Sequence, residues 1–421
     1  MRIVIIGAGL LGVSTAWFLA KSGNEVVVID RRSALALETS FANGGMLTPS
    51  QAAPWNTPGI AWQILRLLGQ DESPIRIKYS RLAGLAGWGT AFLRYSKSEH
   101  FRNNFQKNIR LARYSLDQVK MIRQQQGIVY DHSHQGTLKI FQSREALRHA
   151  RALLEIAAPE TIRYELLDQQ AVIALEPALE PVSDTLAGGL YFPDDEAGDA
   201  HRFCLELANA SSLAGVSFLY DTTLTAMVRQ GNRIQSVRTT SGDLTADLYV
   251  LAAGSYSRML AQSINLRLPI YPVKGYSLTI DTVNTPGRLP VLPVIDELRH
   301  IAVTPLGQRL RIAGKAELAG YDTTIDSRRS GLLLKFFRQL YPELASGLEP
   351  DAIQPWTGLR HYTCDGVPLI GSCSIENLIL NTGHGHLGWT LAAGSGRLIA
   401  DMISGNRPGL DLTPYALSRF E

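Results

Sequence analysis

The first thirty residues constrain this chain more than any other stretch. Ile3-Val4-Ile5-Ile6 is a short, uncharged, β-branched run of the kind that forms a strand buried on both faces. Gly7-Ala8-Gly9-Leu10-Leu11-Gly12 follows with G-x-G-x-x-G spacing, and a helical stretch then runs through Lys21. A second apolar run, Val26-Val27-Val28-Ile29, ends in Asp30. Each part has a mechanical reason. Gly7 permits the tight turn, Gly9 lets a pyrophosphate approach the backbone, and Gly12 lets helix and strand pack closely. The helix N-terminus offers unpaired N–H groups and a positive dipole end to phosphates. Asp30 is placed to accept hydrogen bonds from adenosine ribose hydroxyls. Strand, glycines, helix, strand and acid in one unit predict a dinucleotide site.

At 421 residues, two domains are the prior expectation. A hydrophobic content of 45% with 19% charged residues is that of an ordinary packed globular protein. Three cysteines, Cys204, Cys364 and Cys373, are too few and too far apart for a disulfide framework or a metal pattern, so no metal is expected. The opening strand leaves no expectation of a signal peptide, and no apolar run is long enough to cross a bilayer. A reducing, cytoplasmic setting is the expectation. The net charge is only +3, but it is unevenly spread: residues 74–123 hold eleven Lys and Arg against Glu99 and Asp117 alone.

After Asp30, Arg31 and Arg32 could flank an adenine or a phosphate. The loop that follows, with Ser40, Ala42, Asn43, Gly44, Gly45 and Met46, is made of small residues that would let a flat ring lie against the main chain; alone it also reads as a plain turn. Residues 54–98 alternate apolar pieces, including Trp62 and Trp88, with basic ones. A helix is predicted from about residue 100 to 126, with Phe101, Phe105, Ala112, Val119 and Ile122 near one face. The apolar strand expected at 246–252 runs into Ala253 and Gly254, which again brings backbone close to a ligand. Near the C-terminus, a strand at 378–381 leads into Gly383, His384, Gly385, His386, Leu387, Gly388, Trp389 and Thr390, which open a helix over 391–403. That gives a second set of helix-end donors. Two such termini suit a ligand with two polar ends, as a flavin dinucleotide has.

These segments together resemble the FAD-dependent D-amino-acid oxidase superfamily, and most closely its bacterial D-amino-acid dehydrogenases of the small-subunit type. Further pieces carry the likeness: PWNTPG at 54–59, LAAGSYS at 251–257, YPVKGYSLTI at 271–280, WTGLR at 356–360 and DGVPLIG at 365–371. The resemblance implies FAD as cofactor, with Gly7, Gly9, Gly12 and Asp30 at the pyrophosphate and ribose, Arg31 on the adenosine side and Leu224 meeting adenine. It places Asn43, Gly44, Gly45 and Met46 against the flavin ring, and residues 383–390 at the flavin pyrimidine edge. It assigns Arg360 to the substrate carboxylate and Tyr276 to the substrate site. One departure stands out. Where the family usually reads G-L-R-P-x-T-P-D-G, this chain has His361 and Cys364 in place of the prolines.

Amino-acid oxidation at a flavin requires Cα–H to face flavin N5, a held carboxylate and a deprotonated amine. Holding is work for the planar fork of arginine; Arg360 otherwise reads as part of a buried ion pair. Tyr276 would cap the carboxylate or serve as a core tyrosine, and Tyr271 is a weaker candidate. No side chain is required as base if the amine binds neutral. His384 and His386 read first as packing or hydrogen-bonding residues. Positioning and positive electrostatics at the flavin edge carry the rate.

The expected architecture is α/β, with a Rossmann-like FAD-binding domain over 1–80, 198–268 and 355–421. An α+β substrate domain on a mixed or antiparallel sheet is expected over 81–197 and 269–354. The expected activity is conversion of a D-amino acid to 2-oxo acid and ammonia, with electrons passed to a quinone-type acceptor. Alternatives are oxidation of a cyclic secondary amine such as D-proline or hydroxy-D-proline, or of glycine or sarcosine, an oxygen-using oxidase, or a flavin-bearing subunit that mainly tethers a partner. Residues 55–123, basic and interleaved with tryptophan, suit peripheral contact with the cytoplasmic face of an anionic inner membrane. Nucleic acid is not expected, since no recognition motif accompanies the charge.

Overall fold

The computed structural model describes residues 1–67, 72–157, 162–283 and 285–421. Leu68, the end of the first apolar piece, and the rest of 68–71 within the 55–123 window lie outside the described residues.

Strands β1 (Arg2–Ile6) and β2 (Glu25–Ile29) form on the β-branched runs, and only the first residue of each is exposed. They pair in parallel, Ile3 against Val26 and Ile6 against Ile29, with α1 (Leu10–Lys21) crossing between them. Three helices follow: α2 (Ile60–Leu67), α3 (Leu82–Arg94) and α4 (Ser98–Gln126). The chain then adds β3 (Thr137–Phe141), β4 (Gly188–Phe192), α5 (Ala200–Leu213), β5 (Ser217–Leu219) and β6 (Leu248–Leu251). The last third holds β7 (Ile270–Asp281), β8 (Ile301–Leu306), β9 (Arg309–Leu318), α6 (Ser327–Leu340) and β10 (Ile353–Thr363). It closes with β11 (Leu369–Ser372), β12 (Leu378–Thr382) and α7 (Gly388–Ile403).

Two sheets organise the described residues. The first has the order β11-β12-β6-β1-β2-β5, and all its neighbours are parallel except β11 with β12. The order reverses beside β1, and ligands of doubly wound sheets bind in the crevice at such a switch. The second sheet runs from β10 through β7, β9 and β8 to β3 and β4, and its pairings are mostly antiparallel. The expected pairing of a Rossmann-like sheet with a mixed sheet is thus present.

Three boundaries differ from the sequence reading. Helix α4, assigned to the substrate domain, presents Phe101, Phe105, Ile109, Ala112, Val119 and Ile122 to the same core as α1 and α7. The approach is close: the N–H of Gly394 donates to Ser115 Oγ at 2.9 Å, and a Cβ on Gly394 would lie 2.7 Å from Ser115 Cβ. Conversely, β10 and the short Ile75–Ile77 strand, assigned to the dinucleotide domain, are strands of the second sheet. Partners distant in sequence decide both. Residues 60–67 and 82–94, read only as alternating pieces, are helices, and α7 begins at Gly388 rather than 391. Among the described residues no helix is long and apolar enough to cross a membrane.

Candidate active site

A cleft of about 480 Å³ runs from the N-terminus of α1 to β10. Gly7, Gly9, Leu10, Leu11, Asp30, Arg31 and Leu224 line one end. Gly7 adopts φ +112°, and a Cβ there would lie 2.6 Å from the Ala252 carbonyl oxygen. Gly12 does not line the cleft. Its missing side chain lets α1 sit against the turn, since a Cβ would fall 1.8 Å from Gly7 O. Ala8 donates its N–H to Asp30 Oδ2 at 2.7 Å, and Arg32 donates its own to Oδ1 at 2.9 Å. A carboxylate has about four acceptor positions, so Asp30 keeps capacity for hydroxyl donors. Burial raises its pKa, opposed by those two backbone bonds. The Arg31 guanidinium lies 3.8 Å over the Tyr256 ring and pairs with Glu38 at 2.6 Å. Arg32 is turned to the surface, where it also pairs with Glu38, and does not line the cleft. No acidic side chain occupies the first turn of α1; Leu10 donates its N–H to Ser40 Oγ at 3.2 Å, and the positive helix end otherwise suits an anion.

The loop of Ser40, Ala42, Asn43, Gly44, Gly45 and Met46 lines the cleft from the start of α1, where Ser40 sits, to the other end, where the second sheet holds it from behind. Ser277 Oγ donates to Ala42 O at 2.7 Å, Thr304 Oγ1 to Gly44 O at 2.7 Å, and Arg311 Nη1 to Asn43 O at 2.8 Å. Of the C-terminal loop, Gly385, His386, Gly388 and Trp389 reach the cleft. Gly383, His384, Leu387 and Thr390 do not. His384 is buried with Nε2 on Ser395 Oγ at 2.8 Å, Thr390 Oγ1 accepts from Thr48 N at 3.1 Å, Leu387 is in the core, and Gly383 packs on Thr363. Ala253 and Gly254 line the cleft as expected.

Arg360 lines the cleft from β10. Its Nη1 donates to the Lys315 carbonyl at 3.1 Å, and among the described residues no carboxylate pairs with it. Burial lowers its pKa, an effect that the nearby Tyr362 partly opposes. Room for the guanidinium comes from Gly275, where a Cβ would lie 2.5 Å from Arg360 Cζ. The Lys315 carbonyl is aimed by a bulge: opposite Gly275 and Tyr276, β9 carries the extra residue Lys315, at φ +56°.

The tyrosine expected beside Arg360 is a different one. Register on β7 sets Val273 opposite Arg360 and Tyr276 opposite Thr357, so Tyr276 points to the other face. There its hydroxyl donates to buried Glu317 at 2.6 Å, and the ring joins the apolar core behind the sheet, while the residue still lines the cleft. Tyr271 shares Arg360's face but packs 5.5 Å from Trp88 and does not line the cleft. Tyr362, two residues after Arg360, shares its face as well; it and Trp55 do not line the cleft themselves but pack on Arg360 and His386, which do. The Tyr362 ring lies 4.5 Å from Trp55 and 5.9 Å from His386, and Trp55 lies 5.7 Å beneath the guanidinium. The tautomer follows from the partners. His386 Nε2 is 3.0 Å from Gln51 O, an acceptor only, so it carries the proton. Nδ1 therefore accepts from the Tyr362 hydroxyl at 2.7 Å, and burial holds His386 neutral with a pKa of about 4. The period-2 alternation of a strand through WTGLRHY would have pointed to Tyr362; no local signal pointed to Trp55.

The match to known proteins decides the family. The FAD dependent oxidoreductase (DAO) family model covers residues 2–402. The chain belongs to that family. It is 44% identical to a D-amino acid dehydrogenase of Granulibacter bethesdensis over 420 residues, covering all of both chains. It is 40% identical to the same-named protein of Agrobacterium fabrum, again over the whole of both. Among solved structures, glycine oxidase from Geobacillus kaustophilus superposes with a TM-score of 0.76 at 21% identity, covering 99% of each chain. L-Proline dehydrogenase from P. horikoshii gives 0.77 at 19% identity, covering 100% of this chain and 97% of that one. These two likenesses show the fold.

This family member is an FAD-dependent amino-acid dehydrogenase, and FAD is its cofactor. The residues present fit that group. The α1 donors, the Asp30 carboxylate and the loop of small residues suit the parts of a flavin dinucleotide. Trp389 Nε1 and both ring nitrogens of His361 are buried without a hydrogen-bond partner among the described residues, and both residues line the cleft.

Proposed function

We propose that the protein oxidises D-amino acids to 2-oxo acid and ammonia and delivers the electrons to a quinone-type acceptor at a membrane surface. The observation that carries the substrate reading is Arg360: a half-buried guanidinium that lines the cleft and has, among the described residues, no carboxylate of its own. Such a group is stable when an incoming carboxylate pairs with it, and its fork matches two oxygens. The Tyr362 hydroxyl directs its proton to His386 Nδ1, so its oxygen keeps lone pairs for the amine N–H groups of the same substrate. Two fixed points on one substrate set which face of Cα is presented to the flavin. Trp55, Tyr362 and His386 exclude water around it. FAD, held by the α1 N-terminus, Asp30 and the 40–46 loop, would supply the two-electron acceptor for oxidation of the Cα–N bond, and the imino product would hydrolyse to 2-oxo acid and ammonia.

The membrane part rests on α2 and α3. Trp62 and Leu65 on α2 are 61% and 60% exposed, and Leu82 and Leu93 on α3 are exposed too. Arg66, Arg81 and Arg94 accompany them. Helix α3 also backs the substrate site, because Trp88 and Leu85 pack on Tyr271 and Tyr362. A lipid-soluble acceptor would meet the protein where its apolar helices lie. The basic window is narrower than its sequence suggests: Arg76 pairs with Asp326, Lys78 with Asp322, and Lys120 and Arg123 with Glu196.

Anaerobic titration with a panel of D- and L-amino acids, followed by flavin absorbance, tests the reading. Bleaching by D-alanine and similar D-amino acids, with reoxidation faster by a quinone analogue than by oxygen, is the expected result. Bleaching by D-proline, glycine or sarcosine alone would replace the substrate class, and rapid reoxidation by oxygen would replace the acceptor.

A further inference from the structure

His361 sits on β10 directly after Arg360 and faces the opposite way, towards the dinucleotide sheet. Its Nδ1 lies 3.5 Å from where a Cβ on Gly254 would stand, and Gly254 is held at φ +52° at the end of β6. The ring is 6% exposed, lines the cleft, and meets His384 edge-on at 5.9 Å between centroids. Neither ring nitrogen has a hydrogen-bond partner among the described residues. A buried imidazole left so is costly, and buried polar groups of native proteins are almost always satisfied.

The missing partners can be deduced from the imidazole itself. Burial holds its pKa near 4, so at neutral pH it is uncharged and needs one acceptor and one donor. A pyrophosphate offers acceptors only, and the donors that suit it belong to the α1 N-terminus, around Gly9. A hydroxyl both donates and accepts, and in FAD a run of hydroxyls lies between the pyrophosphate and the ring, on the ribityl chain. We infer that His361 is a cofactor-binding residue that hydrogen-bonds the ribityl hydroxyls of FAD. The inference rests on FAD as cofactor and on nothing about the substrate.

Equilibrium binding to the full-length apoprotein, read by quenching of flavin fluorescence, tests it. His361→Leu is expected to weaken FAD binding about tenfold, the scale of one net hydrogen bond, while ADP binding stays as in the parent. An FAD analogue lacking ribityl hydroxyls should bind the parent and His361→Leu equally. His361→Asn, which keeps a donor and an acceptor, should recover part of the affinity for FAD and none for the analogue; it also serves if the Leu variant does not fold. Unchanged FAD affinity in the variants, or equal losses for FAD, analogue and ADP, would overturn the proposal. A parent apoprotein that binds no FAD would overturn the cofactor assignment itself.

Discussion

At the scale of single residues, the site comes down to one unpaired cation and one hydrogen-bonded pair. Replacing Arg360 by Ala should raise KM for amino acids by about 10²-fold or more, the cost of removing one partner of a desolvated charge pair. Flavin content should stay as in the parent, because the guanidinium faces the substrate side. Steady-state kinetics with an artificial acceptor, alongside the flavin-to-protein absorbance ratio, will show whether the two properties separate. The pair Tyr362–His386 sets a pH dependence. His386 has a folded pKa of about 4, below its unfolded value of 6.5. Unfolded chains therefore take up the proton first, and the stability tied to this group is present above pH 6.5 and lost as pH falls towards 4. Asp195 tilts the other way: burial raises its carboxyl from 3.8 to about 7, so its contribution is present below 3.8 and lost as pH rises to about 7. The measurement is therefore a difference. Denaturant midpoints of His386→Asn and parent, compared between pH 7 and pH 5, should converge as pH falls.

Elements matter because strands place side chains by alternation and register. Gly275 is the test on β7. Its substitution by Ala adds one methyl group where Arg360 Cζ already stands 2.5 Å away. The sheet should tolerate it at a cost of about 1–3 kcal/mol, but the guanidinium must move, so KM should rise while FAD binding persists. An unchanged KM in Gly275→Ala would mean that the arginine is not held where its function requires. On α1, Gly12→Ala is more severe. The methyl group would meet a backbone carbonyl at 1.8 Å, which no side-chain motion relieves. Loss of bound flavin, read from the absorbance spectrum of the purified protein, is the expected result.

For the whole molecule, the two sheets are joined by buried polar work as well as by apolar packing. Across the second sheet, Lys274 and Glu317 form an ion pair at 3.2 Å with almost no solvent exposure; Tyr276 donates to Glu317 Oε2 and Lys274 to the Thr324 carbonyl. Glu317→Ala would leave the buried Lys274 ammonium with Asp322 alone, at 3.6 Å, and should cost about 3 kcal/mol of stability, seen as a lower midpoint in urea. The outer surface invites a different measurement. Binding to anionic vesicles should weaken as salt rises from 0.05 to ~0.5 M, as the Debye length shrinks, and should fall further in Trp62→Ala. Binding that ignores both changes would remove α2 from the membrane reading.

The dinucleotide end was legible in the sequence because its chemistry is local: turn, helix start and acid lie within thirty residues, and each contact is made by backbone or by one nearby side chain. Arg360 and the glycine loops could be named by resemblance for the same reason. What surrounds them could not. Tyr362 displaced Tyr276 beside Arg360 because strand register, fixed by pairing between residues some ninety apart, decides which face a side chain occupies. Trp55 reached the site from a distant loop, and α4 joined the dinucleotide layer because its apolar face found α1 and α7. Sequence spacing determines what a short segment can bind; only the closed fold, through long-range pairing and burial, decides which side chains stand around it.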